Sequence, residues 1–151
     1  MKILKISNKK DNKFLRKKTA PFDFNSMTKD ELRILINDMK ETMRSAEGVG
    51  LSANQVGVDA SFFVAEVEDK FYAIFNPEIV KTSTDTEPLE QGCLSVSDKR
   101  VDVTRPYQIT LKGFDKNKKR LRIKAWGFLA HVFQHEVDHL NGKLITDYKI
   151  R

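Results

Sequence analysis

From Thr28 to Ser45 the chain reads TKDELRILINDMKETMRS, and its apolar positions Leu32, Leu35, Ile36, Met39 and Met43 recur three or four residues apart. That period puts them on one face of an α-helix, so a helix is predicted from about Lys29 to Ser45 with its methionines turned to the core. Thr28 and Glu31 have the spacing of a capping box, and Met27 and Leu32 that of a hydrophobic staple. The pattern then changes. SFFVAEV (61–67), FYAIF (71–75, closed by Asn76 and Pro77), RVDVT (100–104), YQITLKGF (107–114) and RLRIKAW (120–126) are short and rich in β-branched and aromatic residues, which predicts strands. DKNK (115–118) is predicted as the hairpin turn between the last two. A second helix is predicted from about Gly127 to Leu140, ended by Asn141 and Gly142, which tolerate a left-handed backbone. The order helix, strands, helix predicts an α+β fold with mostly antiparallel sheet.

A length of 151 residues with no repeat, low-complexity tract or Pro/Gly/Ser linker suits one domain spanning 1–151. The net charge of +6 is concentrated in Lys9 to Lys18 and Lys116 to Lys124, where aromatic residues do not alternate with the basic ones, Phe14 standing alone in the first run. These runs are read as solvated faces, with a weak, salt-dependent attraction to RNA such as a ribosome surface as their functional use; DNA is not expected as a partner. Cys93 is the lone cysteine, and the chain start lacks the pattern of a secretory leader, which points to a reducing cytoplasm. No apolar run approaches the ~20 residues of a membrane span.

All three histidines fall within nine residues, at 131, 135 and 139. On the second helix His135 and His139 occupy neighbouring turns of one face, so both imidazoles can reach one metal ion, with Glu136 beside them: the HExxH pattern. His131 is a turn further away and is read as a pocket-lining or hydrogen-bonded residue. Two ligands do not complete a site. The longer pattern HExxHxxGxxH fails because Ile145 stands where its last histidine belongs, and the only acid after His139 is Asp147. The remaining candidate is Cys93, in LEQGCLSVSDKR, whose thiolate suits a borderline-soft cation. EGVGLSANQVG (47–57) fits neither the dinucleotide nor the P-loop pattern, but the Gln55 amide could donate a hydrogen bond to a developing oxyanion.

Together GVGLSANQ, QGCLS and HEVDH resemble, in the same order, the motifs GxGLAAxQ, EGCLS and HExDH of peptide deformylases. The resemblance implies a compact fold of short sheets around the HExxH helix. It implies Cys93, His135 and His139 as metal ligands with one position left open, Fe(II) as the cellular metal, and zinc, nickel or cobalt in preparations. The implied reaction hydrolyses the N-formyl group of the initiator formyl-methionine of a nascent polypeptide and releases formate. Glu136 would be the general base, and Gln55 and the backbone N–H of Leu94 would hold the oxyanion. Val49, Phe128, His131 and Val132 would line the methionine pocket, and Gly50 and Gly92 would contact the peptide backbone.

The chain departs from that pattern in places. Gln91 replaces the glutamate of EGCLS, a charge that could have paired with Arg105. It is expected to keep a hydrogen bond while orienting Cys93 less firmly, so that Gln91→Glu would raise kcat/KM. His131 stands where an apolar residue is usual and would narrow the pocket or add a polar contact. Ser97 for proline and Ser52 for alanine are expected to be tolerated. The sequence stops at Arg151 without the C-terminal helix of many bacterial members, as in short forms from phages or organelles. The expected setting is therefore a cytoplasm, that of an infected host for a phage protein, or an organelle matrix or stroma. A monomer is expected, with any ribosome recruitment left to the basic faces. The alternatives are a peptidase of another HExxH class, whose metal would survive Cys93→Ala, and a catalytically silent peptide binder.

Overall fold

The computed structural model describes residues 1–148, with every side chain among them but that of Asp98. Three helices, α1 (Lys9–Leu15), α2 (Lys29–Ser45) and α3 (Phe128–Leu140), accompany seven strands. Strands β1 (Gly50–Ser52), β2 (Phe62–Val67), β3 (Lys70–Thr82), β6 (Gln108–Phe114) and β7 (Arg120–Trp126) form one sheet in the order β1-β2-β3-β6-β7. Strands β4 (Thr86–Cys93) and β5 (Val96–Pro106) form a separate ribbon, and every pairing is antiparallel. This is the α+β architecture that the pattern predicts.

Residues 62–65 of β2, FFVA, are buried in succession because the five-stranded sheet is covered on both faces. Alternate side chains of a strand point to opposite faces. Phe62 and Val64 pack with Ile36, Met39 and Met43 of α2, whereas Phe63 and Ala65 pack with Ala130, Val132 and Phe133 of α3. Helix α2 begins where the capping box predicts: Thr28 Oγ1 accepts from Glu31 N at 3.1 Å and Glu31 Oε1 from Thr28 N at 3.0 Å. Met27 and Leu32 join the same cluster. The DKNK turn forms as predicted, closed by Lys118 N donating to Asp115 O at 3.0 Å.

Several elements differ from the sequence reading, among them β1, which is not predicted, and β5, which extends beyond the predicted 100–104. The basic run from Lys9 contains a helix, capped by Asn8 Oδ1 accepting from the amides of Lys10 and Asp11, with Leu15 fully buried. Strand β3 does not stop at Asn76 and Pro77. A register shift between Phe75 and Glu78 absorbs the proline; Asn76 N still donates to Ser61 O at 2.8 Å, while the Asn76 side-chain amide pairs with both backbone groups of Phe22. Strand β4 forms over Thr86–Cys93, where no strand is predicted, in register with β5 from Thr86↔Pro106 to Gly92↔Arg100. At the end of α3, Asn141 stays at φ −97° and Gly142 alone takes the left-handed turn at φ +76°. Among the described residues no helix is long and apolar enough to cross a membrane.

Gly142 also lets the N-terminal segment pass against the end of α3, since a Cβ there would lie 2.2 Å from Arg16 O. Gly142→Ala is expected to combine backbone strain with this clash and to destabilise the protein by roughly 2–4 kcal/mol. The midpoint of urea unfolding checks this.

Candidate metal centre

Helix α3 and the β4–β5 ribbon supply the centre of the site. One helical turn separates His135 from His139, and their Nε2 atoms lie 3.1 Å apart. The ribbon stays in register to Gly92 and then shifts, so that Cys93 pairs with Val96 and its Sγ lies 3.2 Å from His139 Nε2. These three ligand atoms all lie within 4.8 Å of one another. Donors held 2.0–2.3 Å from a tetrahedral cation are separated by about 3.3–3.5 Å, close to the two distances found.

Burial decides the protonation. It pushes His135 down to about 3, helped by the charge of Arg105, and holds His139 well below the ordinary range, helped by His135. Both rings are therefore neutral and have lone pairs to offer. Burial likewise pushes the Cys93 thiol up to about 12, with Glu136 adding to the effect and the Ser95 backbone amide opposing it. Two neutral imidazoles in near contact with a thiol form a sulfur and nitrogen donor set that fits a borderline divalent cation.

Glu136 lies beside the triad, almost fully buried, with Oε1 3.9 Å from His135 Nε2 and Oε2 without a hydrogen-bond partner. Burial raises its carboxyl well above the usual range, against the pull of Arg105. The backbone of β1 comes so close that a Cβ on Gly50 would meet Glu136 Oε1 at 2.6 Å, so glycine makes room for the carboxyl group. After β1 the chain makes a short 3-10 turn, Ala53–Val56, which carries Gln55. Gln55 Oε1 accepts from Ser52 N at 3.0 Å, and Nε2 donates to Ser95 Oγ at 3.0 Å and lies 3.9 Å from Cys93 Sγ. The N–H end of the amide thus faces the sulfur.

A cavity of about 780 Å³ opens onto this cluster. Of the residues singled out in the sequence, Gln55, Cys93, Leu94, His135 and Glu136 line it together with Val49, Gly50, Gly92, Phe128, His131 and Val132. His139 is sealed behind them, while Val49 and Phe128 are exposed at the rim.

Other participants escaped the sequence reading. Lys5 lines the cavity, and its Nζ donates to the Leu94 carbonyl. Nothing distinguishes it in the sequence from the other lysines of a basic N-terminus. Asp138, the D of HEVDH, accepts from Arg105 Nη1 at 2.8 Å and from the Tyr148 hydroxyl. The motif itself was the available signal. Ser52 is more than tolerated: its hydroxyl lies 3.0 Å from Gln55 Oε1 and 2.7 Å from Asn54 Oδ1, and Asn54 Nδ2 donates to His139 O at 2.7 Å. Gln91 keeps a bond to Arg105, as expected, with Oε1 3.2 Å from Nη2.

The family model for polypeptide deformylase matches residues 1–151. The chain belongs to that family. A peptide deformylase of Halothermothrix orenii is 42% identical over 153 residues, covering 100% of this chain and 96% of the relative. The crystal structure of the Thermotoga maritima peptide deformylase superposes with a TM-score of 0.89 at 37% identity, over 99% of this chain and 97% of that one. A class I type b deformylase from Acinetobacter baumannii, solved with Met-Ala-Ser bound, gives a TM-score of 0.90 at 29% identity over 97% and 96% of the two chains. The protein is therefore an enzyme of the deformylase class, consistent with removal of the N-formyl group from nascent peptides, and this family is metal-dependent.

At pH 7 the imidazoles need lose no proton on binding a cation, but the thiol must. Binding of one Zn²⁺ per chain is expected to release about one proton from Cys93, with up to one more from Glu136. Calorimetry in buffers of different ionisation enthalpy measures the release. It should fall by about one in Cys93→Ser, and release near zero in the unaltered chain would contradict the assignment.

Proposed function

We propose that this deformylase hydrolyses the N-formyl group of formyl-methionyl nascent peptides at a cation held by Cys93, His135 and His139, with Glu136 as proton carrier. The observation that carries the reading is the convergence of Cys93 Sγ, His135 Nε2 and His139 Nε2 next to a buried, half-unpartnered carboxyl group at the cavity. A divalent cation there supplies Lewis acidity, making water acidic near neutral pH and polarising a carbonyl oxygen.

The chain's own groups do the rest. Glu136 takes the proton of the attacking water and returns it to the departing amine, and a carboxyl raised by burial is suited to both transfers near neutral pH. As the formyl oxygen becomes an oxyanion, the Gln55 N–H end and the Leu94 backbone N–H donate to it. Because Ser52 and Ser95 already fix the Gln55 amide, little reorganisation is needed at that moment. Gly50 and Gly92 let the peptide backbone approach, and Val49, Phe128, His131 and Val132 receive the methionine side chain. The bound Met-Ala-Ser of the Acinetobacter relative supports this substrate class.

The sulfur and nitrogen donor set suits Fe(II), the proposed cellular metal, and also zinc, nickel or cobalt. Residues 1–151 act as one catalytic domain and a monomer, in a cytoplasm or an organelle where formylated chains are made. The exposed cations Arg120, Arg122 and Lys124 along β7, at the sheet edge, are the proposed contact with ribosomal RNA.

Anaerobic loading with Fe(II) is expected to give formate release from formyl-Met-Ala-Ser, and no release would overturn the reading. Glu136→Ala should keep its metal and lose roughly 10²–10⁴-fold in kcat. Gln55→Ala should lose about 10²–10³-fold in kcat with a smaller change in KM, as removal of an oxyanion donor does.

A further inference from the structure

Gln91 and His131 are forty residues apart in the sequence, and the fold brings them into contact. Gln91 lies on β4 two residues before Cys93, and His131 lies on α3 one turn before His135. Both side chains are buried, and Gln91 Nε2 is 3.0 Å from His131 Nδ1.

The surroundings dictate where each proton sits. A guanidinium only donates, so the Gln91 atom 3.2 Å from Arg105 Nη2 is the carbonyl oxygen, and the amide NH₂ faces His131. An NH₂ group only donates in turn, so His131 Nδ1 accepts. Burial and the Arg105 charge keep this ring neutral, which leaves its one proton on Nε2. Arg105 is itself anchored by Asp138, the residue before His139. Asp138, Arg105, Gln91 and His131 thus form a continuous hydrogen-bonded brace across α3, β5 and β4, with members close in sequence to each of the three proposed ligands.

We propose that Gln91 and His131 are a matched pair of positioning residues: their hydrogen bond fastens β4 to α3 and sets Cys93 against His135 and His139. The proposal rests on the metal-centre reading above. The hydrogen bonding of each residue depends on what the other presents. An apolar residue at 131 would strand a buried Gln91 N–H, and a glutamate at 91 would present only acceptors, forcing a proton onto His131 Nδ1. Changed together, the glutamate pairs with Arg105 and the apolar residue asks for nothing. On this proposal Gln91→Glu alone loosens the centre, the opposite of the expectation from the sequence.

The test uses the full chain loaded with Co(II) and the variants Gln91→Glu, His131→Leu, His131→Asn and the Gln91→Glu/His131→Leu double. The readouts are the thiolate-to-cobalt absorption band and the rate of Co(II) loss to a chelator. Each of the first two single variants is expected to alter the band and speed Co(II) loss about tenfold, as loss of a group that orients a ligand does. The double variant should return to within about threefold of the unaltered chain, because the two losses are coupled rather than additive. His131→Asn, which keeps an acceptor near the position of Nδ1, should retain its cobalt and guards against a leucine variant that merely misfolds. ¹⁵N NMR of the zinc-loaded chain should show His131 protonated at Nε2. Additive losses in the double variant, unchanged cobalt retention in the single ones, or a proton on Nδ1 would overturn the pair while leaving the metal centre standing. An unaltered chain that binds no Co(II) through sulfur would overturn the metal-centre reading itself.

Discussion

Two neutral imidazoles and an un-ionised thiol, gathered within 4.8 Å of one another at the wall of the cavity, form the constraint on which the structure depends. Facing nitrogen lone pairs are not a stable end in themselves; they need a shared proton or a cation between them. Much of the surrounding fold serves to hold that arrangement. Helix α3 keeps its histidines in place because its apolar side packs on the sheet through Ala130, Val132 and Phe133. The sheet is backed in turn by α2, so the helix rests on a layer that is buried on both faces.

Charge near the triad is confined to a few places. Arg105 is almost fully buried and answered by Asp138, Gln91 and the Tyr148 hydroxyl. Its positive charge helps keep the histidines unprotonated and partly offsets the desolvation of Glu136. A buried cation of this kind is costly unless paired. Here it is paired by residues that also adjoin the proposed ligands in sequence, so electrostatic satisfaction and geometric placement are one arrangement.

The parts of this structure governed by local physics were legible in the sequence. Helix α2 declares itself through its apolar spacing and capping box, and the His135–Glu136–His139 relation follows from the pitch of a helix alone. Cys93 needed a chemical argument, and the three motifs together named the family before any fold was visible. The ribbon strand β4 was not legible: it buries only one flank, contains Pro88, and so lacks the apolar alternation of a core strand. The continuation of β3 past Pro77 was hidden because a register shift between Phe75 and Glu78, and a side-chain contact of Asn76 to distant Phe22, carry the strand past a residue that ordinarily ends one. Helix α1 was masked by its lysines, with Leu15 its one buried residue. Gln91 and His131 each stood out in the sequence, but their contact is a tertiary fact that neither position discloses alone.

The central claim is that one sulfur and two nitrogens from this chain bind the same cation. X-ray absorption at the zinc edge of a chain carrying one bound zinc tests it most directly. The account predicts one sulfur at about 2.3 Å and two imidazole nitrogens at about 2.0–2.1 Å, with light atoms completing the shell. A shell of nitrogen and oxygen alone, or one unchanged in Cys93→Ser, would contradict it.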